Sequence, residues 1–163
     1  MARDRRFDLL LFGATGFTGR LVAEYLTRRA AGTDLRWALA GRSQARLEQV
    51  RRELAAIDAA AGAVEIVVGD ALDEAAMTRL ARDATAVCTT VGPYQRYGAA
   101  LVAACAAAGT GYCDLTGEVP FVRAAIDRHH ATAVATGARI VNCCGFDSLP
   151  SDLGVWLVQR ELE

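Results

Sequence analysis

Near the start of the chain, Gly13-Ala14-Thr15-Gly16-Phe17-Thr18-Gly19 sets glycines at three-residue intervals between an apolar run and an amphipathic stretch. Each glycine has its own physical task in such a turn. Gly13 permits a tight exit from a strand, Gly16 lets backbone N–H groups approach an anion with no side chain in the way, and Gly19 lets the following helix pack close to a sheet. The anion, most naturally a pyrophosphate, would rest on the positive end of that helix, where N–H groups lack intrahelical acceptors. The G-x-x-G-x-x-G spacing departs from the G-x-G-x-x-G form. The flanks therefore carry the assignment to a nucleotide loop: it follows a strand, opens a helix and sits in an alternating strand-helix chain.

Further polar clusters fall where other predicted strands end, the rim on which open parallel sheets bind ligands. After the second strand comes Ala40-Gly41-Arg42-Ser43. An Asp or Glu there would bond the ribose 2′-hydroxyl of NAD. Arg42 suits the 2′-phosphate of NADP, with Ser43 as a second ligand, because guanidinium makes paired, charge-assisted bonds to phosphate. The alternative is a solvated Arg beside a Ser that caps the next helix. Gly69-Asp70-Ala71 either holds the adenine edge or forms an Asx turn. Val91-Gly92-Pro93-Tyr94 lies beside the expected nicotinamide ribose, with Tyr94 a candidate proton donor or an aromatic wall. Asp114-Leu115-Thr116-Gly117-Glu118 and Gly145-Phe146-Asp147-Ser148-Leu149-Pro150-Ser151-Asp152 border the nicotinamide end, where Asp147 and Ser148 are further catalytic candidates. Turn and capping roles explain the same residues equally well, so no catalytic residue is assigned. His129 and His130 read as mid-helix, solvated and without a role.

These clusters are spaced by a regular alternation of short apolar runs and longer amphipathic segments, the mark of strand-helix units around a parallel sheet. Strands are predicted at residues 7–12, 35–40, 64–68, 86–91, 111–114 and 139–143, and helices at 18–31, 44–61, 73–82, 97–108 and 120–136. Leu47, Val50, Leu54 and Ile57 mark an apolar helix face, and Gly32, Gly62, Gly109 and Gly137 stand where left-handed C-terminal caps are expected. The fold expected is a Rossmann-type, doubly wound α/β sheet in three layers, αβα. It should occupy residues 1–150 as an NAD(P)-binding domain, with 151–163 the start of a connecting helix to a substrate domain that lies beyond a fragmentary sequence.

Composition removes several other classes. A length of 163 residues with 53% hydrophobic content suffices for one core, so one domain is expected. A net charge of -1 without a basic stripe argues against nucleic acid. All 18 basic residues are Arg, which rules out a Walker-A lysine, a Schiff base and the Tyr-x-x-x-Lys dyad that a sugar-nucleotide epimerase of the extended short-chain type needs. Cys88, Cys105, Cys113, Cys143 and Cys144 form no Cys-x-x-Cys pair and read as reduced, buried and structural; no metal site is expected. Arg3, Arg5 and Arg6 precede an apolar run too short for a signal peptide, and no stretch is apolar enough to span a membrane, so a cytoplasmic protein is expected.

Taken together, 11–19, 40–42, 91–94, 113–118 and 144–152 resemble, in order, the N-terminal half of the saccharopine dehydrogenase-like oxidoreductases. The closest branch is the trans-acting enoyl reductases of lipid and polyketide assembly. This resemblance implies an NAD(P)-dependent oxidoreductase whose second domain supplies substrate contacts and often a homodimer interface. NADPH would pass hydride to the β-carbon of a carrier-bound enoyl chain. Other branches act on carbon-nitrogen bonds or associate peripherally with lipid surfaces, and a non-catalytic NADPH-binding or sensing module is the remaining alternative.

Overall fold

Alternate residues of the first strand serve two separate cores, which fixes the layering. In the computed structural model, which describes residues 5–162, β1 (Phe7–Phe12) places Leu10 and Phe12 in one core and Leu9 and Leu11 in the other. Strand β2 (Trp37–Gly41) does the same with Ala38 and Ala40 against Trp37 and Leu39. Strands buried on both faces read as unbroken apolar runs, as residues 9–12 and 37–41 do.

Strands β3 (Glu65–Val68), β4 (Ala84–Thr89), β5 (Gly111–Asp114) and β6 (Ile140–Val141) complete one parallel sheet in the order β3-β2-β1-β4-β5-β6. In register, Leu10 pairs with Ala38 on one side and Val87 on the other. Helices α1 (Phe17–Ala30) and α2 (Gln44–Ala55) cover one face through Ala23, Leu47, Val50 and Leu54. Helices α3 (Glu74–Asp83), α5 (Ala99–Ala108) and α6 (Val119–Thr136) cover the other through Met77, Leu80, Leu101, Val102 and Phe121. The chain therefore winds outward from β1 to β3, then crosses to β4 on the far side of β1. Loops diverge between β1 and β4, the place where such sheets open a crevice.

Some boundaries differ from the sequence reading for identifiable reasons. Helix α2 stops at Ala55, not 61, because Ala56 N–H turns back to Glu53 O at 3.2 Å and the Asp58 carboxylate caps a short 3-10 turn, Ala59–Ala63, by accepting from Ala60 N–H at 2.9 Å. Gly62 lies inside that turn and is not a left-handed cap, whereas Gly32, Gly109 and Gly137 do take positive φ. The segment expected to be helical from Tyr97 begins earlier, as α4 (Tyr94–Tyr97), and breaks at Gly98, where an added Cβ would lie 2.6 Å from the Phe121 ring. Helix α7 (Leu149–Leu162) starts ahead of the proposed boundary at 150 and has no buried residue; residue 163 and Arg3 lie outside the described residues. Arg5 is no mere flank of an apolar run: its guanidinium donates to Ala81 O at 2.7 Å, Ala84 O at 2.6 Å and Ala108 O at 2.5 Å, tying the ends of α3 and α5 to the start of β4.

Candidate functional site

The glycine loop is shaped by contacts that leave no room for side chains. Gly13 leaves β1 with φ 96°, and a Cβ there would come within 2.7 Å of both Thr90 Oγ1 and Val91 Cγ2. Gly19 sits in the first turn of α1 directly over the loop, where a Cβ would lie 2.1 Å from Gly13 O. Backbone bonds from Gly13 N–H to Ala40 O (2.9 Å) and from Gly16 N–H to Gly13 O (3.0 Å) tie the loop to β2 and to itself. Gly16 differs: the nearest atom to its notional Cβ is Gly13 O at 3.5 Å, so its outer side is open. It is the N-cap of α1 and supplies no side-chain acceptor, and the first intrahelical bond is Arg20 N–H to Gly16 O at 2.9 Å. The N–H groups of the first turn are thus left to an outside acceptor, as a pyrophosphate would be.

A cleft of about 190 Å³ opens above this turn at the carboxyl ends of the strands. Phe12, Gly13, Thr15 and Gly16 line it from β1 and the loop, Gly41 and Arg42 from β2, Asp70 and Ala71 from β3, Thr90, Val91 and Gly92 from the segment after β4, and Tyr97 from α4. A roomier cavity of about 350 Å³ lies at the opposite, amino-terminal edge, among Phe7, Trp37 and Glu65, with Arg6 paired to Glu65 across it. Ligands of parallel sheets bind at the carboxyl ends, so the smaller cleft is the candidate site.

Most of the expected cofactor residues meet in this cleft, and the others fall around it with definite tasks. Ala14 is fully buried in the core beneath the loop, while Phe17 and Thr18 are exposed on the first turn of α1, where their backbone N–H groups are what an anion would use. Arg42 is exposed at the rim. Ser43 is the N-cap of α2, its Oγ accepting from Arg46 N–H at 3.4 Å. Asp70 makes the Asx turn, accepting from Leu72 N–H at 2.9 Å, and still lines the cleft.

Tyr94 is the main correction. Its side chain is buried, stacks on Phe121 with centroids 5.7 Å apart, donates through its hydroxyl to Thr89 O at 3.0 Å and accepts from Leu115 N–H at 3.4 Å. Burial pushes its hydroxyl pKa well above the ordinary tyrosine range. A phenol so placed is neither a poised proton donor nor a wall of the cleft, and Pro93 beside it is also outside the lining. Asp147 and Ser148 lie on the loop between β6 and α7, and β6 stands two strands beyond β4, roughly 10 Å away at the usual strand spacing. Ser148 O there accepts from Asp152 N–H at 3.1 Å at the start of α7.

The sequence reading does not single out Tyr97 or Thr90, which line the cleft, or Arg46, which lies outside the lining and reaches the loop. Tyr97 supplies the aromatic wall that had been looked for at Tyr94, and Thr90 lines the cleft while donating to Gly13 O at 3.2 Å. Arg46 donates to Thr15 O at 3.3 Å, bringing a second guanidinium to the loop. Arg46 is the third residue of α2, so the helix that Ser43 caps carries it to the loop.

The cysteines are free, yet only Cys105 is buried, with its thiol pKa pushed up to about 12 by burial. Cys88 and Cys113 are paired in register on β4 and β5, and the interaction of the two thiols lowers the pKa of Cys88 and raises that of Cys113. Among the described residues, no three His, Cys, Asp or Glu side chains gather as a metal site, and no helix is long and apolar enough to cross a membrane.

A family model described as the saccharopine dehydrogenase NADP binding domain matches residues 9–141. The chain is 55% identical over 155 residues to a protein of Mycobacterium tuberculosis and 50% identical over 163 residues to one of Mycobacterium leprae, both named as trans-acting enoyl reductases. These alignments cover 95% and 99% of this chain but 36% and 38% of the relatives, so the chain spans little more than a third of their length. Among solved structures, apo saccharopine dehydrogenase (L-Glu forming) from Saccharomyces cerevisiae superposes with a TM-score of 0.69 at 20% identity, over 87% of this chain and 28% of that one, a likeness of fold. The loop, the sheet order and the matched span agree: the chain belongs to the saccharopine dehydrogenase NADP-binding domain family.

Proposed function

We propose that the cleft binds NADPH and that the chain is the cofactor half of an NADPH-dependent enoyl reductase acting on a carrier-bound acyl substrate. The observation that carries the reading is the uncapped start of α1, open at Gly16 and flanked by Arg42 and Arg46. In it, first-turn N–H groups hold the pyrophosphate, and the two guanidinium groups answer the 2′-phosphate with charge-assisted bonds that a ribose hydroxyl cannot match. Asp70 and Ala71 flank the adenine, and Val91, Gly92 and Tyr97 flank the nicotinamide ribose. When bound, NADPH supplies the hydride for the β-carbon of an α,β-unsaturated acyl chain. The names of the similar proteins support that substrate class. Cytoplasmic location and a homodimer interface outside this chain belong to the same reading.

A second reading is favoured by one observation: Tyr94, Asp147 and Ser148, the candidate catalytic groups, do not line the cleft. A non-catalytic NADPH-binding module accounts for that placement. Calorimetric titration of the chain with NADPH and, separately, NADH tests the cofactor assignment. Preference for NADPH by roughly ten-fold to a hundred-fold is expected from one charge-assisted contact worth about 1.5 to 3 kcal/mol. Equal affinities would remove the 2′-phosphate assignment. Turnover of an enoyl thioester by the longer relatives, but absent from a joined full-length version of this protein, would favour the module.

A further inference from the structure

We propose that Glu118 is the positioning residue for the nicotinamide-side wall of the cleft, a proposal that rests on the reading of that cleft as a cofactor site. The wall is formed by Thr90, Val91, Gly92 and Tyr97, all beyond the last ladder residue of β4. Thr90 is tied to the end of β1, its N–H donating to Phe12 O at 2.9 Å and its hydroxyl to Gly13 O at 3.2 Å, whereas the stretch from Gly92 into α4 must be held from outside the sheet. Pro93, which precedes α4, offers no side-chain cap for the N–H groups that begin that short helix. Glu118 provides one from a distance: Oε1 accepts from Tyr94 N–H at 2.7 Å and Oε2 from Gln95 N–H at 2.8 Å, across sequence separations of 24 and 23 residues. Both carboxylate oxygens are used, and bonds from amides to a carboxylate are about twice as strong as neutral ones.

Glu118 is itself held in place. Its N–H donates to Thr116 Oγ1 at 3.0 Å, and its carbonyl accepts from Phe121 N–H at 2.9 Å and Val122 N–H at 3.1 Å, so it starts α6. Thr116 N–H donates in turn to Asp114 Oδ1 at 3.1 Å. Asp114 is buried and also accepts from Tyr112 Oη at 2.8 Å, Asn142 Nδ2 at 2.7 Å and Cys143 N–H at 3.0 Å. The wall is thus referenced through Glu118 to the fixed ends of β5 and β6. The Tyr94 ring against Phe121 and the absence of a side chain at Gly98 press the same segment onto α6. Glu118 never meets the cofactor; it sets where Gly92 and Tyr97 stand.

The test separates the two halves of the cleft. The chain is titrated with NADPH, which spans both halves, and with 2′,5′-ADP, which engages only the loop and Arg42. Glu118→Gln keeps the volume but replaces one acceptor oxygen with a donor. It is expected to weaken NADPH by roughly ten-fold, and Glu118→Ala by more, while 2′,5′-ADP binding stays at its wild-type value and melting stays cooperative with a midpoint lowered by only a few degrees. Unchanged NADPH binding in Glu118→Gln overturns the proposal. So does an equal loss of both probes, or loss of cooperative melting in Glu118→Gln, since either makes Glu118 a support of the whole fold. If Glu118→Ala does not fold, Glu118→Gln decides alone. Wild-type chain that binds neither probe refutes the cofactor cleft itself and this inference with it.

Discussion

At the start of α3 the Asp73 carboxylate accepts from Ala75 N–H at 2.9 Å and Ala76 N–H at 3.0 Å; at the start of α1 the equivalent position is Gly16, which has no side chain to offer. The first turn of α3 also carries Glu74, whereas that of α1 carries no acid. Two helices of one sheet thus treat the same electrostatic problem in opposite ways. One satisfies its unpaired N–H groups and its positive end internally, and stability is the result. The other leaves them open beside a cleft, which costs stability in the free chain and is recovered when an anion binds. The open start of α1 is informative here because α2 and α3, which begin at the same rim after β2 and β3, are capped by Ser43 and Asp73.

That contrast can be broken most forcefully at Gly19. Gly19→Ala puts a methyl against the Gly13 carbonyl, where backbone cannot yield, and should destabilise the chain by about 3 kcal/mol and abolish NADPH binding in thermal-shift and calorimetric assays. Arg42→Ala should weaken NADPH by roughly ten-fold to a hundred-fold with NADH little changed, measured by titration; parallel losses for both cofactors would move Arg42 away from the 2′-phosphate. Gly16→Ala meets only an ordinary contact at 3.5 Å, so urea unfolding should barely change while NADPH affinity falls about ten-fold. This separation of binding from stability is the signature of an open helix end. Asp73→Ala should show the mirror image: about 1 kcal/mol lost in unfolding, and cofactor affinity intact. Smallest of all, Ser43→Ala should cost about 0.5 kcal/mol, since its capping bond is long at 3.4 Å. A fall in NADPH affinity in that variant would return Ser43 to the phosphate site.

The sheet was legible because strands buried on both faces write continuous apolar runs, and the loop because three glycines in fixed register have few other uses. Local contests were harder to read. Asp58 ended α2 early through a bond to Ala60, although Ile57 continued the apolar period. Tyr94 and Tyr97 differ by almost one helical turn, and sequence alone does not say which of them turns toward the core; the Phe121 ring, far along the chain, decides it. Arg5 and Glu118 owe their roles to side-chain partners 23 to 105 residues away, beyond the reach of periodicity or capping rules.

Helix α7 carries no buried residue, and its Trp156 ring meets the Arg160 guanidinium of the same helix at 4.7 Å. A helix of that length without tertiary support is marginal in water, because nucleation is costly and only packing offsets it. Its amides should therefore take up deuterium through local opening, without waiting for the sheet to unfold. Those of α5, packed between α3 and α6 with Leu101, Val102 and Cys105 fully buried, should label last and report the global unfolding free energy. One exchange experiment on the chain would thus show two layers of protection, with the slow layer ending before Leu149.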